Sequence, residues 1–315
     1  MDKILLTGTT GFVGNNLANT LSMKTGSIVK SVVRRVTDNN DGLCFEVGEI
    51  NASTDYTHAL NNTIVVIHCA ARAHVANHST TDSLAQFRAV NTDGTLNLAS
   101  QAAEAGVKRF IFLSSIGVHG ISNTTPFLIS DKLAPVEDYA VSKLEAEIGL
   151  RKIAEETGME VVIIRPSLVY GPNAPGNFGK FAKLASKNLP LPFGAVHNKR
   201  SLVSLDNLVD LIITCIDHPN AANQTFLVSD DHDVSTTELL REMALATGKK
   251  PRLLPVPMSW LQMAGKLTGK QAVIDRLCGS LQVDISHTKD VLGWKPPVSF
   301  QDGIQKCFQK EQKND

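Results

Sequence analysis

Apolar residues in the first half of the chain gather into short runs, separated by longer segments with helical spacing. Residues 4–7, 28–34, 64–68, 110–114 and 161–165 are rich in Val and Ile, which predicts buried strands. Between them, residues 15–23, 84–105 and 139–156 show the periodicity of helices. Strand alternating with helix predicts an α/β fold with a doubly wound parallel (Rossmann) sheet, helices on both faces and right-handed crossovers. The pattern changes after Arg165-Pro166. Pro and Gly cluster over 171–176 and 189–194, which predicts long loops at the carboxyl edge of the sheet, where ligands bind in open α/β folds. Residues 226–229 predict a strand returning to the sheet, and 235–247, 257–267 and 286–292 predict short helices. The expected organisation is a doubly wound domain over 1–170, with returns near 200–230. A smaller, discontinuous, α-rich lobe over 171–315 covers a cleft.

Composition narrows the partners. The chain has 315 residues with 31 basic and 31 acidic side chains, so it carries no formal net charge at pH 7. Bulk attraction to nucleic acid or to an anionic membrane is not expected. No basic leader precedes a long apolar stretch, and no apolar run of about 18 residues is present, so the expectation is a cytoplasmic protein with neither signal peptide nor membrane span. The five cysteines are scattered and never form a CxxC pair, which suits reduced thiols better than a disulfide framework or a metal site. No metal is expected.

Two motifs carry chemistry. Gly8-Thr9-Thr10-Gly11-Phe12-Val13-Gly14 follows the first predicted strand and opens a helix. Glycines there permit a tight turn and let backbone N–H groups approach a diphosphate, which makes Gly8, Gly11, Phe12, Val13 and Gly14 candidates for cofactor binding. An acidic residue about 20 positions further on usually grips the adenosine ribose of NAD. Val33-Arg34-Arg35 occupies that place. Arg34 either pairs with a 2′-phosphate, tilting the cofactor from NAD toward NADP, or is a solvated strand-end arginine. Glu49 and Ile50 are expected beside the adenine, and Ala70 and Ala71 beside the nicotinamide. The second motif is Tyr139-Ala-Val-Ser-Lys143. On a helix, i and i+4 share a face, so phenol and ammonium point into one space. A free phenol titrates near pH ~10, and a neighbouring ammonium brings it toward a useful range.

With the glycine loop, Ser114-Ser115, Tyr139-xxx-Lys143 and Arg165-Pro166-Ser167-Leu168-Val169-Tyr170-Gly171-Pro172 in this order, the chain resembles an extended short-chain dehydrogenase/reductase. The similarity runs nearly end to end and includes Asn91, Asp284-Ile285-Ser286 and Leu292-Gly293-Trp294. It is most similar to the nucleotide-sugar branch containing UDP-glucose 4-epimerases. Residues 200–208 and 279–284 resemble a bacterial subgroup of epimerases and of 4-keto reductases that make UDP-N-acetyl-quinovosamine for surface polysaccharides. The resemblance implies that Tyr139 exchanges a proton with the sugar 4-hydroxyl, and that Lys143 holds the nicotinamide ribose and lowers the phenol pKa. It also implies that Ser115 hydrogen-bonds the same sugar oxygen. For a UDP-sugar it implies contacts from Asn177, Phe193, Arg200 and Arg276, and it implies a homodimer built on 84–105 and 139–156. Related 4,6-dehydratases carry Thr-Asp-Glu where this chain has Ser115-Ile116-Gly117, so dehydration is rejected. His119 is expected to pack or line the cleft, and Arg165 to be structural. The leading expectation is NAD(P)H-dependent reduction of a 4-keto-6-deoxy sugar, with the 4-epimerase as alternative. A non-catalytic dinucleotide sensor is a minor third.

Overall fold

The computed structural model describes residues 3–24, 27–35, 43–73 and 83–309. The strands are β1 (Lys3–Thr7), β2 (Ile28–Val33), β3 (Cys44–Glu46), β4 (Val65–His68), β5 (Arg109–Leu113), β6 (Glu160–Pro166), β7 (Leu168–Tyr170), β8 (Arg200–Ser204), β9 (Thr225–Val228) and β10 (Asp233–Val234). The helices are α1 (Phe12–Lys24), α2 (Thr57–Leu60), α3 (Ser83–Arg88), α4 (Gly94–Glu104), α5 (Asp138–Thr157), α6 (Gly176–Ser186), α7 (Leu205–Asp217), α8 (Thr236–Ala246), α9 (Met258–Leu267), α10 (Gln271–Cys278), α11 (Ser286–Leu292) and α12 (Phe300–Lys306).

Seven strands form one sheet in the order β3-β2-β1-β4-β5-β6-β9, and every neighbouring pair is parallel. The strand order reverses between β1 and β4, which opens a crevice at their carboxyl ends. Side chains alternate across the pleat, so each strand feeds two cores. Ile4, Leu6, Ile67, Ile111 and Ile164 pack on one face with Leu17 of α1 and Leu208 and Ile212 of α7. Leu5, Val66, Phe110, Phe112, Val161 and Ile163 pack on the other with Leu98 of α4 and Ala146 and Leu150 of α5. Burial on both faces explains why these strands read as continuous apolar runs.

A second sheet, β10-β8-β7, was not expected from the sequence. β7 is only three residues long, between Pro166 and Gly171-Pro172, so it reads as part of a loop. It anchors a third core in which Tyr170, Phe178, Leu202, Leu240, Met243 and Phe300 meet. The later chain also returns to the large sheet, since β9 pairs with β6, and Leu292 and Trp294 join the core on the face of α1 and α7, with Trp294 Nε1 donating to Asp210 of α7 at 2.9 Å.

The helix expected over 84–105 is broken. α3 ends at Arg88, a π-helical turn spans Ala89–Asp93, and α4 begins at Gly94. The extra residue in the turn buries Asn91 and Thr92 against α5, where the Asn91 amide donates to Ser142 Oγ at 3.0 Å and Thr92 Oγ1 to the Ser142 carbonyl at 2.9 Å. Such π turns gather at functional sites. α5 itself ends on Gly158, whose φ of +76° is the left-handed cap that glycine adopts without penalty.

Candidate active site

The glycine turn lies in the crevice between β1 and β4. Gly8 has φ +78°, and a Cβ there would stand 2.7 Å from the Ala70 nitrogen, just beyond β4. A Cβ on Gly14 would stand 2.2 Å from the Gly8 carbonyl oxygen, so only glycine lets α1 start this close to the turn. The Gly11 N–H donates to the Gly8 carbonyl at 2.9 Å, which closes the turn. Phe12 packs in the cores on both sides. Gly8 and Gly14 thus leave a cradle that any side chain would fill, at a helix N-terminus with its donor N–H groups, which fits a dinucleotide diphosphate. Val13 is half-buried at the first turn of α1, and Ala70 and Ala71 border the same crevice, with the Ala70 N–H donating to Thr7 Oγ1 at 3.2 Å. Ile50 meets Gly94, where a Cβ would lie 2.6 Å from Ile50 Cγ2, and the exposed Glu49 uses its carbonyl to accept from Thr54. Arg34 is exposed just beyond β2.

Beneath the crevice runs a directional chain of hydrogen bonds that sequence reading missed. Thr95 Oγ1 donates to the Asn91 carbonyl and accepts from His68 Nε2, while His68 Nδ1 accepts from Thr7 Oγ1. The Asn91 carbonyl fixes Thr95 and therefore His68 Nε2 as donors. Burial beside Lys143, which pulls the His68 pKa to about 3, keeps the ring neutral and leaves Nδ1 to accept from Thr7. A histidine inside an apolar strand carries no periodic signal, which is why it escaped notice.

Ser115 leaves β5 as the cap of a short 3₁₀ turn, its hydroxyl accepting from the Gly117 N–H at 3.1 Å. A Cβ on Gly117 would lie 3.3 Å from both Ser115 Oγ and Ala140 Cβ, so the serine faces the first turn of α5 across a glycine-sized gap. That turn carries Tyr139, half-buried, with its ring edge-on to Phe87 at a 6.1 Å centroid distance. One turn on, Lys143 is 1% exposed, donates to the Leu113 carbonyl at 2.9 Å and lies 4.3 Å from the Phe112 ring centroid. The structure therefore brings Ser115, Tyr139 and Lys143 to the carboxyl end of β5, beside the glycine crevice.

The electrostatics correct one expectation. Burial pushes the Tyr139 phenol up to about 12 and pulls Lys143 down to about 8. Desolvation thus outweighs any lowering of the phenol by Lys143, whose ammonium is engaged by the Leu113 carbonyl. At neutral pH Tyr139 is a proton donor and Lys143 a cation.

The expected substrate residues are placed less uniformly. Arg200 donates to the carbonyls of Arg276 (2.7 Å) and Gly279 (3.0 Å), which brings both arginines together at the junction of β8 and α10. The Arg276 guanidinium forms an ion pair with Glu137, two residues before Tyr139. Phe193 packs its ring into the lobe core, and its carbonyl accepts from the buried Thr237 hydroxyl at 2.6 Å. Asn177 falls in the first turn of α6, and its side chain lies outside the described residues. Arg165 and His119 are structural as expected: both are buried, Arg165 pairs with Glu147 at 2.5 Å, and His119 packs on Phe127. Glu147 was missed, although its spacing of four from Lys143 places it on the same helix face. Among the described residues, no group of three or more His, Cys, Asp or Glu could hold a metal, and no helix is long and apolar enough to cross a membrane.

Comparison with known proteins agrees with this geometry. The chain is 57% identical over 310 residues to a UDP-glucose 4-epimerase of Vibrio cholerae, covering 98% of this chain and 94% of the relative. A UDP-N-acetylglucosamine 4-epimerase from Bacillus cereus shares the fold with a TM-score of 0.79 over 98% of each chain, at 19% identity. A UDP-glucose 4-epimerase from Thermotoga maritima, solved with UDP-glucose, gives a TM-score of 0.75 over 97% of each chain at 23% identity. Residues 4–229 match the NAD dependent epimerase/dehydratase family, and with the cradle at Gly8–Gly14 and the residues at the end of β5 the chain belongs to it.

Proposed function

We propose that the protein inverts C4 of a UDP-hexose or UDP-N-acetylhexosamine, with NAD remaining bound through the cycle. The observation that carries the reading is the grouping of Ser115, Tyr139 and Lys143 at the crevice, in a chain 57% identical over 310 residues to a UDP-glucose 4-epimerase. Bound NAD would take a hydride from C4 and return it to the opposite face of the sugar. The residues of this chain supply orientation and proton movement. The Ser115 hydroxyl would donate to the C4 oxygen and share the charge that develops there. The neutral Tyr139 phenol would deliver a proton to that oxygen as the ketone is reduced. In the oxidation that precedes it, a Tyr139 phenolate would take the C4 hydroxyl proton, so the free phenol would first have to lose its own proton against the burial that raises it. For a diphosphate, Arg276 would have to exchange its ion pair with Glu137, and Arg200, which caps the Arg276 and Gly279 carbonyls, would offer its remaining N–H groups, with Asn177 toward the nucleotide.

One observation favours a second reading. Arg34 and Arg35 stand exposed beyond β2, where an NAD enzyme commonly presents a carboxylate. An arginine there suits NADP and a reductase acting on a 4-keto-6-deoxy sugar. The test is to incubate purified protein with UDP-glucose, then UDP-N-acetylglucosamine, without added reductant, and to follow the galacto epimer by NMR. Its appearance supports the epimerase. No epimer, together with stoichiometric NADPH oxidation by a UDP-4-keto-6-deoxy-sugar, replaces it with the reductase.

A further inference from the structure

Behind the reactive face lies a buried carboxylate that the proposed chemistry does not use. Glu147 is 0% exposed and stands one helical turn beyond Lys143 on α5. Its Oε1 accepts from Ser114 Oγ at 2.6 Å and from Arg165 Nε at 2.9 Å, and Oε2 accepts from Arg165 Nη2 at 2.5 Å. Arg165 Nη1 donates to His119 Nε2 at 2.9 Å, which leaves the ring proton on Nδ1 and the histidine uncharged. A buried ion pair contributes little net stability, because desolvating two charges offsets their attraction, and packed apolar side chains would do as well.

The placement of the pair offers a reason for it. The Leu113 carbonyl accepts from Lys143, and the hydroxyl of the next residue, Ser114, donates to Glu147. Two consecutive residues at the end of β5 are therefore tied to two side chains one turn apart on α5. The residue that follows them is Ser115. We propose that Glu147, held by Arg165, is a positioning residue that clasps Ser114 and so fixes Ser115 relative to Tyr139 and Lys143. The proposal rests on the catalytic assignment of those three residues.

Glu147 also faces Lys143 electrostatically. Burial disfavours the ammonium, whereas Glu147 on its own helix and Cys69 beyond β4 favour it; His68 on β4 is held neutral. Two variants separate geometry from charge. Ser114→Ala removes the clasp and keeps the carboxylate. Glu147→Gln with Arg165→Met removes both buried charges together and leaves only the half-exposed Arg151, 3.5 Å from Glu147, without its partner, so no lone buried ion is left to unfold the protein. Each is checked for a thermal midpoint near that of the intact protein. Both are expected to lower kcat about tenfold or more while KM for the UDP-sugar stays within about twofold, because misplacing a reacting group costs rate rather than affinity. The alkaline limb of the rate should stay in place for Ser114→Ala and move down in the double variant, by well under about one pH unit because the Arg165 cation that offsets Glu147 leaves with it. A parallel titration of Lys143 by ε-¹³C NMR, assigned by its loss in Lys143→Arg, needs no turnover. If the intact protein turns over no UDP-sugar, the functional reading fails, and the NMR shift still decides the role of Glu147. Intact kcat in either folded variant, or a Lys143 midpoint unmoved in the double variant, overturns the proposal.

Discussion

Tyr139 and Lys143 are held in opposite tension by the same burial, one phenol pushed up to about 12 and one ammonium pulled down to about 8. Tyr139→Phe removes the proton and little volume, so kcat should fall about 10²–10⁴-fold while NAD still binds, as measured by turnover and by cofactor retention on gel filtration. The proposed chemistry requires the Lys143 cation, so the rate should decline as pH rises through about 8, where that cation is lost. A profile flat to pH 10 would show the cation is dispensable. The spacing of these two residues was readable because a helix converts i and i+4 into a shared face. The destinations of Arg200 and Arg276 were not. Spacing places an arginine on an element, but only the fold brings Glu137 and a backbone carbonyl within its reach.

The alternation of Leu5 against Ile4 and Leu6, repeated in β4, β5 and β6, made the parallel sheet plain from the sequence, because both faces are buried. The π turn at Ala89–Asp93 was hidden for the opposite reason: one inserted residue turns the apolar phase by about 100°, a single slip that does not stand out within one long helical pattern. The junction of β1 and α1 is similarly sensitive. Gly14→Ala would press a Cβ into the Gly8 carbonyl, a backbone atom unable to swing aside. Loss of NAD binding and a stability cost of about 1–3 kcal/mol are expected, read by calorimetry and by thermal unfolding. In the lobe, Tyr170 donates to Asp230, which also accepts from the Asn207 amide and the Ser204 N–H. Tyr170→Phe leaves that buried carboxylate one donor short, so thermal unfolding should report a loss of about 1–3 kcal/mol.

For the assembled chain, we expect a homodimer through residues 84–105 and 139–156, where Ile148 of α5 is an apolar side chain 61% exposed. Light scattering should give twice the chain mass, and Ile148→Arg should return it to the mass of one chain. A single mass for the unaltered protein would remove the dimer. The division expected at residue 170 describes where the chain changes character. It does not describe an independent unit, because β9 and α11 come back to the large sheet after the first strands of the lobe.

That return has a consequence for synthesis. Among the described residues β9 pairs only with β6, yet it follows β6 by the whole of β7, α6, β8 and α7. At ~5–20 residues per second a ribosome completes β6 several seconds before β9 exists. Through that interval a strand with both faces apolar presents an unpaired rim of N–H and C=O groups, the kind of surface that recruits other nascent chains. Slowed translation between Tyr170 and Thr225 would lengthen the exposure, and chaperone demand in the producing cell should rise with it.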